Sequence, residues 1–274
     1  MIKIKDLKVW IWDKEILKWI NMNFELWKNY CLLWKNGSGK STLSSFLMWH
    51  PKYECISWSV DIEIPLSQPF PKVPHPNPLP MGDGIDQKGA ELVNLLDLTP
   101  EERSKAWLFL SFQNVPEIKG IKLSEYLRII YNIANPNIVT PTGSKWMSPF
   151  LFKRFVKKYL EELSMDEKFL DRELNVWFSW WEKRKIEILQ MKLIWPKYII
   201  LDEIDSWLDI DAFRKVAELL KSIDNENNSL IIITHYFKIL EYINVDEVYI
   251  LKDWMIVEKW WKELIEKVKK NWYE

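Results

Sequence analysis

One segment constrains this chain more than any other: a short apolar strand that runs straight into a glycine-bearing loop and then a helix. Tyr30, Cys31, Leu32 and Leu33 end in Trp34-Lys35-Asn36-Gly37-Ser38-Gly39-Lys40-Ser41-Thr42, after which Leu43, Phe46 and Leu47 recur at helical spacing. Such a unit is built for phosphate groups. Main-chain N–H groups wrap the oxygens, the lysine ammonium reaches the outer phosphates, and the following hydroxyl ligates Mg2+. In the pattern G-x-x-x-x-G-K-[ST], Gly37, Gly39, Lys40 and Ser41 meet every requirement except the first glycine, whose place is held by Trp34. The loop therefore reads as a nucleotide-binding element of an α/β fold.

The rest of the chain supplies the matching parts. Ile199-Ile200-Leu201-Asp202-Glu203 is an apolar strand ending in two carboxylates, so Asp202 is expected to support the metal and Glu203 to orient or deprotonate a water. Ile231-Ile232-Ile233-Thr234 leads to His235, and the strand-like stretch from Leu108 to Phe112 leads to Gln113, whose amide can reach Mg2+ or water. Both residues then sit at carboxyl ends of strands, where open parallel sheets bind ligands. Alternating apolar residues from Ile2 to Leu26 predict antiparallel N-terminal strands, and the 3- and 4-residue spacing from 123 to 174 predicts helices. The expectation is one domain over 1–274, with a mixed sheet core and a helical sub-domain at 114–178. Residues 65–80 hold seven of the fourteen prolines, which neither ladder nor helix tolerates, so 65–88 reads as an exposed inserted loop.

Several partner classes fall away. The formal charge of −1 offers no footprint for nucleic acid or an anionic membrane. No run approaches the ~20 apolar residues that span a bilayer, so direct membrane insertion is not expected. Cys31 and Cys55, the two cysteines, form neither a metal-spacing motif nor a disulfide framework, which suits a reducing, cytoplasmic compartment. Neither is a credible cluster ligand.

The composition carries an anomaly that leads to the family. There are 18 Trp and only 7 Gly, where average usage puts glycine near ~7%. With Trp read as Gly, NVWFSWWEKR at 175–184 becomes NVGFSGGEKR and SWLD at 206–209 becomes SGLD. At that point the chain resembles the ATP-binding cassette (ABC) ATPases. The phosphate loop at 34–42, Gln113, the signature Ser179-Trp180-Trp181-Glu182, the acids Asp202 and Glu203, the D-loop ending at Asp209 and the switch His235 all occur in the family's order. The strings WHPKYE, FQNVPEIKGI, NVWFSWWEKRKIEILQM, LDEIDSWLDIDA and ITHYFKILEYI resemble its SufC branch, the ATPases of the Suf iron–sulfur cluster assembly system.

The resemblance implies an ABC-type fold, ATP as substrate with Mg2+, and a head-to-tail dimer that closes on ATP and reopens on hydrolysis. It implies that Trp34 to Thr42 bind ATP, that Ser41 and Gln113 ligate Mg2+ with Asp202 in support, and that Glu203, His235 and Gln113 serve catalysis. It also implies that Ser179, Trp180, Trp181, Glu182 and Asp209 act across the dimer, and that SufB/SufD-type scaffold proteins are the partners. Two alternatives stay open: the energising subunit of a membrane transporter, and a non-hydrolysing binding module.

Against the family pattern, Trp12, Trp19, Trp27, Trp34, Trp49, Trp58, Trp107, Trp177, Trp180, Trp181, Trp207, Trp254, Trp260, Trp261 and Trp272 stand at glycine positions, with Trp10, Trp146 and Trp195 undecided. Glycine serves where φ is positive or where backbone closely approaches a ligand, and an indole there is disruptive. Decay of a pseudo-enzyme has no reason to choose one replacement residue while sparing Lys40, Asp202, Glu203 and His235. The reading is that the source decodes UGA as glycine and that the printed tryptophans are a translation artefact.

Overall fold

The structure, a computed structural model, describes residues 1–11, 14–34, 40–48, 54–55, 59–65, 90–137, 139, 143–144, 146–204, 210–223, 227–234 and 237–265. Residues 35–39 of the phosphate loop, 206–209 of the D-loop, His235 and 66–88 of the proline-rich loop lie outside the described residues. Of Trp34, Lys40 and Ser41 only the backbone is described. The chain divides into two compact units, residues 1–113 with 196–274, and residues 114–195.

The first unit holds two sheets. One is antiparallel and built from β1 (Ile2–Ile11), β2 (Lys14–Phe24), β4 (Glu54–Cys55), β5 (Ser59–Pro65) and β6 (Ala90–Asn94), in the order β2-β1-β5-β6 with β4 on β1. Pro65, expected to open the loop, is instead the last residue of β5, paired with Ala90. In β1 the inward residues are Ile2, Ile4, Leu7 and Val9, and in β2 they are Leu17, Ile20, Met22 and Phe24, all at most 2% exposed. Neither series keeps a strict period of two. The register shifts at three places: β1 absorbs one extra residue between Ile4 and Leu7, and β2 absorbs one between Leu17 and Ile20 and another between Glu15 and Leu17. The first two bulges contain Asp6 and Trp19, with φ of 48° and 52°. They return the apolar side chains to the core face.

The second sheet combines β3 (Tyr30–Trp34), β7 (Leu108–Ser111), β10 (Tyr198–Asp202), β11 (Ser229–Thr234), β12 (Glu247–Lys252) and β13 (Met255–Trp261). Its order is β13-β12-β3-β11-β10-β7. The five strands from β12 to β7 are parallel and β13 is antiparallel. Strands β10 and β11 are buried along their whole length, which accounts for their unbroken apolar runs. α1 (Lys40–Leu47) follows β3, α2 (Pro100–Lys105) precedes β7, and α6 (Ile210–Lys221) lies between β10 and β11. One core joins the two sheets and α1, with Phe24, Tyr30, Leu43, Leu47, Ile200, Ile233 and Tyr249 among its members. The expected mixed-sheet α/β architecture with antiparallel N-terminal strands is thus the one observed.

The 114–195 unit is mainly helical: α3 (Leu123–Ala134), α4 (Pro149–Glu162) and α5 (Trp180–Ile194), with a two-stranded ladder of β8 (Ile118–Lys122) and β9 (Glu173–Leu174). It runs past residue 178 to include α5. Leu127, Tyr131, Phe152, Val156, Leu160, Ile186 and Leu189 are buried in it, and Tyr131 and Phe155 meet at 4.8 Å. Ser148 caps α4, with Pro149 at its first turn. Among the described residues no helix is long and apolar enough to cross a membrane.

Among the described residues, six of the eleven non-glycine positions with positive φ are tryptophan. Trp19, Trp27, Trp107, Trp177, Trp195 and Trp254 all have φ between 49° and 70°, a region in which a bulky side chain is an outlier. Each has a local reason to be there. Trp19 sits in a bulge of β2. Trp27 lies in the turn from β2 to β3, and Trp177 is the third residue of a turn closed by the Phe178 N–H donating to the Asn175 carbonyl. Trp107 follows the last turn of α2, and Trp195 caps α5 with φ 49° and ψ 59°, the left-handed helix terminus that favours glycine. Asp253 and Trp254, at 50° and 68°, form the two-residue connection between Lys252 and Met255. A type I′ hairpin turn needs positive φ at both residues, and Asp-Gly is a preferred pair for it.

Candidate nucleotide site

Parallel register brings the acidic strand and its neighbours to one edge. Leu201 lies opposite Ser111, Asp202 opposite Ile233, and Thr234 opposite Leu33. The carboxyl ends of β3, β11, β10 and β7 therefore form one row. From that row emerge the start of the phosphate loop, the segment leading to His235, the acids Asp202 and Glu203, and Gln113.

Asp202, the last residue of β10, is 4% exposed and accepts a hydrogen bond from Ser44 Oγ of α1 at 2.7 Å. Glu203 leaves the strand with φ 48° while its N–H donates to the Ile233 carbonyl at 2.9 Å. A left-handed glutamate costs about 1–3 kcal/mol, a form of strain that gathers at functional sites. Gln113 Nε2 donates to Glu203 Oε2 at 2.5 Å, so two residues ninety positions apart in the chain are in direct contact. These donors are all oxygen or amide groups, the hard set that suits Mg2+ held partly by phosphates. By donor chemistry Asp202 and Gln113 fit that ion. α1, which begins at Lys40 directly after the loop, fits the anionic end of ATP.

In the 114–195 unit, Ser179 is the N-cap of α5. Its hydroxyl accepts from the Glu182 N–H at 3.2 Å and Glu182 Oε2 accepts from the Ser179 N–H at 2.7 Å, a reciprocal capping box. The spacing Ser-x-x-Glu carries that signal in the sequence. Ser179 and Glu182 thus start a 15-residue helix whose N-terminus favours anions. In the printed sequence its first two residues are Trp180 and Trp181, with rings stacked 6.4 Å apart. Two indoles at a helix start do not suit close approach of a phosphate, whereas hydrogen-only side chains do. The same helix buries an ion pair, Arg184 with Glu187 at 2.5 Å, both side chains 6% exposed. Sequence spacing offered no distinction between this pair and a solvated one. Ser44, likewise, carries no motif that would have marked it.

No protein-family model matches the chain. Curated relatives do, over its whole length. It is 35% identical over 278 residues to "Probable ATP-dependent transporter ycf16" of Cyanophora paradoxa, covering 100% of this chain and 93% of that protein. It is 34% identical over 274 residues to "Probable ATP-dependent transporter slr0075" of Synechocystis sp., covering 100% and 94%. To "ABC transporter I family member 6, chloroplastic" of Arabidopsis thaliana it is 32% identical over 276 residues, covering 100% and 72%. Among solved structures it resembles "Dimeric Structure of MJ0796, a Bacterial ABC Transporter Cassette", with TM-score 0.67, 18% identity, and coverage of 96% of this chain and 99% of that one. Fold, strand-edge geometry and full-length identity converge: the chain belongs to the ABC ATPase family.

Proposed function

We propose that this ABC ATPase binds and hydrolyses ATP to power iron–sulfur cluster assembly on a SufB/SufD-type scaffold in the cytoplasm. The observation that carries the chemistry is the contact of Gln113 with Glu203 beside the buried Asp202. The Suf-like strings at 175–191 and 201–212 carry the choice of partner. In this reading Lys40 and the 36–41 amides bind the phosphates of ATP, and Ser41, Gln113 and Asp202 hold Mg2+, which offsets phosphate charge. Glu203 orients the attacking water and takes its proton as oxygen bonds to the γ phosphorus. The γ phosphorus bond to the bridging oxygen breaks, and ADP and phosphate leave. His235 stabilises the γ phosphate, while Ser179 and Asp209 complete the site from the second copy of a head-to-tail dimer. Catalysis is then positioning and charge stabilisation.

Glycine at the tryptophan positions belongs to this proposal, because it separates a working ATPase from a non-hydrolysing module. Six tryptophans on left-handed backbone support it. They include Trp195, which the family pattern leaves undecided and whose helix-terminating φ of 49° now groups it with the others. Trp10 and Trp146 are absent from that set. Peptide mass spectrometry of protein from its own source is expected to find glycine at 180, 181 and 195. Tryptophan at 180 and 181 refutes the ATPase reading.

The names of the relatives support a second reading, an ATP-dependent transporter subunit. Pull-down of the glycine-bearing chain from its source distinguishes the two. Recovery of a soluble scaffold pair supports cluster assembly, and recovery of a multi-span membrane protein replaces that reading with the transporter one.

A further inference from the structure

Ser44 lies one turn beyond Ser41 on α1 and is wholly buried, at 0% exposure. Helical serines in apolar surroundings usually satisfy their hydroxyl on the carbonyl one turn back. Ser44 Oγ also reaches across the fold and donates to Asp202 Oδ2 at 2.7 Å, a bond between residues 158 apart in sequence and buried at both ends. The neighbours Leu43, Phe46 and Leu47 are core residues, so nothing in the packing calls for a hydroxyl at this position. A hydrogen bond to an ionised, desolvated carboxylate is among the stronger ones, and it fixes the rotamer of the group that receives it.

We propose that Ser44 is a positioning residue for the metal. It ties the Asp202 carboxylate to α1, the helix that begins at the phosphate loop, so that the carboxylate meets an incoming Mg2+ in one fixed orientation. The inference rests on the nucleotide reading above and adds a residue that no phosphate-loop pattern contains. Outer partners of this kind typically alter metal affinity by about 10–100-fold when removed.

The test uses the full chain with glycine at the family positions and reads nucleotide affinity, not turnover, with a fluorescent ATP analogue in Mg2+ and in EDTA. Ser44→Ala and the volume-conserving Ser44→Cys are each expected to raise the Mg2+ concentration at half-effect about 10-fold, leaving EDTA affinity and the circular dichroism spectrum unchanged. In an Asp202→Asn background the same changes are expected to have no further effect. A parent whose affinity ignores Mg2+ overturns the nucleotide reading and this inference with it. A parent that responds to Mg2+ while both variants titrate identically overturns the role of Ser44 alone. Equal loss of affinity with and without Mg2+ also overturns it, because that is the signature of damaged packing.

Discussion

Replacing Trp27 and Trp177 by glycine tests the backbone argument without disturbing the core. Their side chains are 68% and 87% exposed and their φ values are 70° and 56°, so little packing is lost and the backbone term dominates. Left-handed backbone costs a non-glycine residue roughly 1–2 kcal/mol. Glycine's extra freedom in the unfolded chain returns about 0.4–1 kcal/mol of that. The net gain is about 0.5–1 kcal/mol at each site, or ~1–2 kcal/mol for the double variant, since independent sites add. At ~2–4 °C per kcal/mol this moves the melting midpoint up by roughly 2–8 °C. Trp19 is a poorer probe because Lys8 Nζ lies 3.5 Å from its ring centroid, and losing that contact offsets much of the gain. The control is Trp146, 55% exposed and absent from the positive-φ set, where glycine is expected to be neutral or destabilising. Differential scanning fluorimetry of the three variants decides it. Equal shifts for Trp27→Gly, Trp177→Gly and Trp146→Gly, or none at all, refute the reasoning.

In the glycine-bearing protein, Glu203→Gln is expected to lower ATP turnover at least ~100-fold while ATP binding persists, measured by phosphate release and equilibrium binding. Ser179→Ala removes the hydroxyl half of the α5 capping box and is expected to cost about 1 kcal/mol in urea unfolding, with Ser179→Thr restoring most of it. Burial pushes the Tyr131 phenol up to about 12 from its ordinary 10. The folded state therefore holds that proton longer than the unfolded chain, and stability present below pH 10 is lost as pH rises towards 12. The Tyr131 hydroxyl has no hydrogen-bond partner among the described residues. Tyr131→Phe is thus expected to stabilise by about 1 kcal/mol at neutral pH and to flatten part of the alkaline loss, with the remainder due to Tyr159, which burial likewise raises to about 12.

Much of the architecture is legible before any coordinates. Strands β10 and β11 are buried on both faces, so their composition is continuously apolar and their ends are marked by the first polar residues, Asp202 and Thr234. The phosphate loop announces itself because its chemistry needs particular residues in order. The bulges of β1 and β2 are half-legible: the spacing from Leu17 to Ile20 breaks alternation, but only pairing shows that the break is an inserted residue. Pro65 reads as loop from its Pro-rich surroundings, whereas at the end of β5 it pairs with β6 on one side only, past the reach of β1, where a missing N–H is tolerated. The capping box at Ser179 and Glu182 is spelled out by the Ser-x-x-Glu spacing, the same residues that carry the family signature.

What the chain determined by itself is local: which segments are strand or helix, where a phosphate can be cradled, and which residue type is out of place. These depend on periodicity and on neighbours a few positions away. What only the tertiary structure decided is the company the residues keep. Gln113 on Glu203 and Ser44 on Asp202 arise because β7, β10 and β11 pair in parallel out of sequence order and α1 packs on their common core. The sign of φ at Trp195 is of the same kind, since a helix terminus is set by where the following strand must begin and not by the residue printed there.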